Sequence, residues 1–342
     1  MEFLLEYGLF LAKSVTALVL IGLLLGLISS LAMRQKSDDE GHIEVKGLNE
    51  QFKHWQDNLK HEMLSEDEYK ELKKQEKKNK KKKGKESESK GKVFVLDFDG
   101  DIKASDVESL RHAITAILGV ATDKDEVLLK LESPGGMVHS YGLAASQLDR
   151  IRQKNIPLTI AIDRVAASGG YMMACIGDRI LSAPFALIGS IGVVAQLPNF
   201  HRLLKKHDVD VELLTAGEYK RTLTMLGENT EEGRQKFQEE LEQTHDLFKE
   251  FVKEHRPGLD IESVATGEAW YGQVAKSKGL VDEIMTSDDY LLQQSADKDC
   301  FEVKFTYRKT LAERLGFGVE AAMDRTLWRW LGRLRDGRSQ VG

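Results

Sequence analysis

The chain has 342 residues, 41% of them hydrophobic and 30% charged, with a formal net charge of −6. That is long enough for one large domain with extensions, or for two domains, and apolar enough to fill a sizeable core. An acidic body without basic, aromatic-interleaved patches excludes the usual footprint of a nucleic-acid binder.

In chain order, residues 14–33 read SVTALVLIGLLLGLISSLAM, twenty residues without a charge. At about 1.5 Å rise per residue such a helix matches a hydrocarbon core of about 30 Å, which predicts a membrane anchor over residues 1–33. A cleavable signal peptide is the rival, but its apolar part is shorter, about 7 to 15 residues, and ends in an A-x-A-like site. Residues 34–92 are polar and charged and predict a linker, with one short helix near residues 59–72. Its end is lysine-rich: residues 73–92 hold eleven lysines and three glutamates, a local +8 that leaves the rest of the chain at −14. Such a run repels itself and stays solvated, and it is also attractive to anionic lipid head groups.

From residue 93 the pattern changes. Strand-like VFVLDF is followed by a helical stretch over 105–118, strand-like EVLLKLE at 126–132, the turn SPGG, a helical stretch to 152, and strand-like LTIAI at 158–162. Strands alternating with amphipathic helices predict an α/β fold with a largely parallel sheet, whose ligands gather at the carboxyl ends of the strands. SPGG and AASGG both fall at such ends. A second uncharged run at 180–198 contains two prolines and two glycines, and predicts buried strands and turns rather than a second span. A long helix is predicted over 231–254, capped by Asn229 or Thr230 and with acids in its first turn. Residues 301–342 form a basic, amphipathic C-terminal extension around Trp328 and Trp330, expected to cap the core. Cys175 and Cys300 have no metal-like spacing, and Cys175 reads as a packed residue.

The sharpest local feature is RVAASGGYMMA, where Ser168 follows a strand and begins a helix between Ala166, Ala167, Gly169 and Gly170. Small neighbours are what a tight strand-to-helix elbow tolerates, although the pattern is A-x-S-x-G rather than G-x-S-x-G. The Gly169 amide would then point, with the helix N-terminus, toward developing negative charge, and a second donor would come from Gly135 or Gly136. A serine nucleophile needs a base. His139, just beyond SPGG, and Lys220, after an apolar run that favours a neutral amine, are both candidates, and spacing does not choose between them.

The combination SPGG, DRVAASGGYMMA, PFALIGSIGVV, TAGEYKRT and YGQVAKSKGLVDEI resembles the signal peptide peptidase A family of serine-lysine peptidases, in the ClpP/crotonase fold. The resemblance covers roughly residues 92–284 and implies a peptidase domain over 93–300. It implies Ser168 as nucleophile, Lys220 as general base, Ser190 as the residue that orients the lysine, and amides of Gly136, Gly135 and Gly169 as the oxyanion hole. It assigns no cofactor, makes peptides or proteins the substrates, and implies a homo-oligomeric ring at the bacterial inner membrane. One departure is RTLTMLGENTEE after the lysine, which lacks the Pro-Phe element of many relatives and leaves the local wall of the site undefined. Arg34 and Lys36 beyond the anchor favour a cytoplasmic domain, whereas the resemblance favours the periplasm, and the expectation follows the resemblance.

Two other readings compete with a peptidase. VLDFDGD, from Asp97 to Asp101, is similar to the DxD opening of haloacid-dehalogenase-type phosphatases, with Asp288 and Asp289 as a nominal acid pair, but that pair falls in a polar segment. A non-catalytic membrane scaffold has no need of Ser168, Lys220 and Ser190 together. A P-loop, a CxxC pair and HExxH are all missing from the sequence.

Overall fold

The computed structural model of the chain describes residues 7–11, 13–16, 19–20, 41–83 and 90–307. Residues 43–305 gather in one compact unit that carries the sheet and the site. The described residues before 41 belong to a separate unit and are helical where assigned. Most of the predicted anchor lies outside the described residues, among which no helix is long and apolar enough to cross a membrane.

The elements follow in chain order as β1 (Gly41–Gly47), α1 (Leu48–Met63), α2 (Glu66–Lys83), β2 (Lys92–Asp99), α3 (Val107–Leu118), β3 (Glu126–Glu132), α4 (Val138–Arg152), β4 (Leu158–Ile162), β5 (Val165–Ala167), α5 (Gly169–Ala174), β6 (Arg179–Ser182) and β7 (Leu187–Gly189). They continue as α6 (His201–Lys206), α7 (Glu231–His255), α8 (Ile261–Val264), β8 (Ala269–Tyr271), α9 (Gly272–Ser277), β9 (Glu283–Ile284), α10 (Ser287–Gln294) and β10 (Asp299–Tyr307). A seven-stranded sheet runs in the order β1-β10-β2-β3-β4-β6-β9, and every pairing from β10 to β9 is parallel. A smaller sheet, β5-β7-β8, stands beside it, with β5 and β7 parallel and β7 and β8 antiparallel.

The central strands read as apolar runs because both faces of the sheet are covered. Along β2, Phe94, Leu96 and Phe98 enter a large core with α3, α4, α5 and α7, while Val93 and Val95 enter a smaller one with Leu48, Tyr290 and Leu291 on the other face. The run at 180–198 meets the expectation only in its first half, which forms β6, a turn and β7, whereas residues 190–198 are neither helix nor strand and are exposed from Val194 onward. Helix α7 starts where expected: Thr230 Oγ1 accepts from the Gly233 amide, and Glu231 and Glu232 occupy the first turn.

Two segments differ from the sequence expectation. Residues 34–92, expected as a linker, contain β1, α1 and α2. Helix α1 carries an apolar stripe at helical spacing, Leu48, Phe52, Trp55, Leu59 and Met63, but buries only Leu48, worth about 1.5–3 kcal/mol, with Phe52 partly covered and the rest of the stripe exposed. Its attachment is largely polar, through Asn49, which donates to the Ser295 and Lys298 carbonyls and accepts from the Cys300 amide. The expected domain end at residue 300 also falls inside a strand. β10 starts at Asp299 and pairs with β2, with Cys300 and Val303 buried, so the sheet continues into the expected extension. Trp328 and Trp330 lie outside the described residues.

Candidate active site

Ser168 is the residue on which β5 turns into α5. It has φ 52° and ψ −118°, a backbone conformation that a side chain other than glycine rarely adopts. Its amide donates to the Gly189 carbonyl at 2.8 Å, and its carbonyl accepts from Met172. Because Ala167 pairs with Gly189, the next residue on each strand is a serine, and Ser190 follows β7 as Ser168 follows β5. Ser190 also has a positive φ, 51°, and its amide donates to Glu268. Both serines are half-buried.

The SPGG turn packs directly against this elbow. Ser133 bridges to Ala166, its amide donating to Val165 and its carbonyl accepting from Ala167. A Cβ on Gly135 would stand 2.7 Å from both the Ala167 oxygen and the Ser168 Cβ, so only glycine permits the approach. Gly136, Gly169 and Ser168 line one small pocket, whose walls are the apolar side chains of Val138, Met172, Val193 and Phe248, with Thr244. The Gly169 amide opens α5 and has no intrahelical partner by position. Among the described residues neither it nor the Gly136 amide has a hydrogen-bond acceptor. Gly135 differs from the expectation, because its amide donates to Ser133 Oγ at 3.1 Å and is not free for an oxyanion.

Lys220 is not brought into this pocket. It lies at the end of a turn, its amide donating to Gly217, within residues 207–230, which form neither helix nor strand. The segment is largely exposed and carries apolar side chains into solvent, Leu214 at 89% exposure among them. His139 is exposed in the first turn of α4 and does not line the pocket either.

None of the remaining candidates lines the pocket. Asp97 pairs with Lys130. Asp101 accepts from the Ser105 amide and hydroxyl and from the Lys103 amide, and the Ser105 bonds hold its carboxyl below the ordinary range. Asp288 and Asp289 are exposed in the first turn of α10, where Asp289 and Thr286 cap each other. Cys175 and Cys300 are free and buried, and burial pushes both thiols up, that of Cys300 to about 11.

Sequence reasoning missed the polar core under the turn. Ser133 and Tyr141 are both fully buried, with their hydroxyls 2.5 Å apart, and Tyr141 donates to the Asp101 carbonyl at 2.7 Å. Burial, working against the Ser133 hydrogen bond, holds the Tyr141 phenol above its ordinary range, so it stays protonated. The Met172, Val193 and Phe248 wall, drawn from three distant segments, left no local trace.

An elbow serine, two unpaired amides and an apolar wall stand together on a parallel α/β scaffold, an arrangement suited to hydrolysis. Residues 2–148 match the model of the peptidase family S49 N-terminal region, and residues 150–300 match peptidase family S49. The chain belongs to peptidase family S49. It is 56% identical over 331 residues to the probable protease SohB of Haemophilus influenzae, covering 93% of this chain and 94% of that one. It is 48% identical over 327 residues to the probable protease SohB of Buchnera aphidicola, with 96% and 97% covered. Among solved structures, a membrane-bound stomatin-specific protease with a substrate peptide matches at 17% identity and a TM-score of 0.39, over 60% of this chain and 81% of that one.

Proposed function

We propose that this peptidase is a membrane-tethered serine endopeptidase that works through an acyl-enzyme on Ser168, with Lys220 as general base. The observation that carries the reading is the conformation of Ser168, held at φ 52° at the start of α5, beside the unpaired amides of Gly136 and Gly169. In the first step the neutral Lys220 amine takes the Oγ proton as Oγ bonds to the substrate carbonyl carbon, and the two amides receive the oxyanion. On collapse the C–N bond breaks and the lysine returns its proton to the leaving amine. Water, deprotonated by the same lysine, then releases the acyl group. Ser190, off the neighbouring strand end, orients the lysine. The apolar wall of Met172, Val193 and Phe248 favours an apolar residue before the cleaved bond, which suits peptides derived from membrane segments or signal peptides.

The position of Lys220 supports a shared site. The lysine is on an exposed, apolar-decorated segment and does not line the Ser168 pocket of its own chain, so in a head-to-tail ring the lysine of one protomer serves the serine of the next. Ser168→Ala should abolish cleavage of a fluorogenic peptide and labelling by a fluorophosphonate, at unchanged thermal stability to within a few degrees. Cleavage and labelling that survive in the alanine variant would overturn the assignment.

A further inference from the structure

The oxyanion turn is held by a buried relay of hydroxyls. Gly135 N–H donates to Ser133 Oγ at 3.1 Å; Ser133 and Tyr141 share a proton contact at 2.5 Å; Tyr141 Oη donates to the Asp101 carbonyl at 2.7 Å. Since Tyr141 gives its single proton to Asp101, the Ser133 hydroxyl must donate to Tyr141, and its free lone pair takes the Gly135 amide. Every donor thus points the same way, from the turn toward the end of β2. A second strut runs parallel, from the Met137 amide to the Ile102 carbonyl at 2.8 Å. Between the two struts stands Gly136, which a Cβ would drive into the Ile102 carbonyl. The Tyr141 ring also lies flush against Gly169, where a Cβ would collide with it. One side chain therefore touches the supports of both unpaired amides.

We infer that Ser133 and Tyr141 are positioning residues for catalysis: by taking the Gly135 amide out of the pocket and fixing the turn, they leave Gly136 and Gly169 as the two aligned oxyanion donors. This rests on Ser168 being the nucleophile. Preorganised donors act on the charge that develops in the transition state, so a turn released from its relay should slow the chemical step and leave substrate binding alone.

The test is Tyr141→Phe in the full-length protein, which keeps the ring against Gly169 and removes only the hydroxyl. With a fluorogenic peptide carrying leucine before the cleaved bond, kcat should fall about 10- to 100-fold at unchanged KM. The fluorophosphonate labelling rate should fall in step, because the phosphonyl oxygen uses the same donors. The pH profile should keep its midpoint, since the base is untouched. Ser133→Ala should give the same pattern, and it decides the matter with the same readouts if Tyr141→Phe does not fold. Full kcat in a folded variant, or a loss that appears only in KM or in the fraction of active sites titrated, would overturn the relay. Ser168→Ala, run in parallel, separates the two readings: a dead and unlabelled alanine variant beside a fully active Tyr141→Phe sinks the relay alone, whereas a labelled alanine variant sinks the nucleophile.

Discussion

Ser168, half-buried where β5 turns into α5, is held in a strained backbone conformation. Its φ of 52° and ψ of −118° lie in a region that costs a side-chain-bearing residue about 1–3 kcal/mol, and glycine far less. Ser168→Gly and Ser168→Ala should both be inactive, yet they should differ in stability. Glycine relieves the strain and adds back about 0.5–1 kcal/mol of unfolded-state entropy, so the glycine variant should be the more stable by about 1 kcal/mol. Urea unfolding of the two variants checks this, and an alanine variant of equal or greater stability would mean that the elbow is unstrained. The elbow was legible in the sequence because strain and close approach select small neighbours, and Ala166, Gly169 and Gly170 record both. Ser133 and Tyr141 were not, because their hydrogen bonds join segments that meet only after the turn has closed.

At the scale of elements, the strands with apolar runs and the helix with a capped start were read correctly, since periodicity and capping are local properties. β3 and β4 occupy the very residues expected, Glu126–Glu132 and Leu158–Ile162. Helix α1 was open to reading in its stripe of Leu48, Phe52, Trp55 and Leu59 and was missed, whereas strand β10 was not legible, because a strand at the far end of the chain depends on partners distant in sequence. The same dependence governs α7, which puts Thr244 and Phe248 into the pocket. Its end is tied down by Arg256, just past the last turn, which donates to both oxygens of Asp282 at 3.0 and 2.7 Å, while the Ile180 amide donates to the same carboxylate. Burial would raise the Asp282 carboxyl, but the Arg256 and Ile180 bonds outweigh it and hold it below the ordinary range. A carboxyl depressed in the folded state adds stability above its unfolded value of about 3.9, and that stability fades as pH drops through the lower, folded value. Asp282→Asn should therefore cost about 1–2 kcal/mol at pH 7, a figure reduced for partial exposure, and progressively less as pH falls below about 4. Unfolding curves of both proteins at pH 7 and pH 3 test this. A penalty that is the same at both would show that the charge contributes nothing.

For the whole molecule, the proposed base, Lys220, lies on an exposed segment and does not line the pocket of Ser168 in its own chain. Residues 207–230 lack helix and strand and expose Leu213, Leu214, Tyr219, Met225 and Leu226, an apolar burden that a neighbouring copy would cover on assembly. In the proposed ring each protomer lends Lys220 forward and receives a lysine from behind, so separated protomers should be inactive and dilution should abolish activity at constant fold. The decisive measurement mixes Ser168→Ala with Lys220→Ala chains, each dead alone, and reassembles them from the dissociated state. With equal amounts and random order, about a quarter of the interfaces pair an intact serine with an intact lysine, so about a quarter of wild-type activity should return. A site built within one protomer cannot be rescued in this way, because every chain in the mixture carries a defect in its own serine or its own lysine. A mixture that demonstrably co-assembles and stays dead would exclude sharing and require residues 207–230 to fold back onto their own pocket when substrate binds.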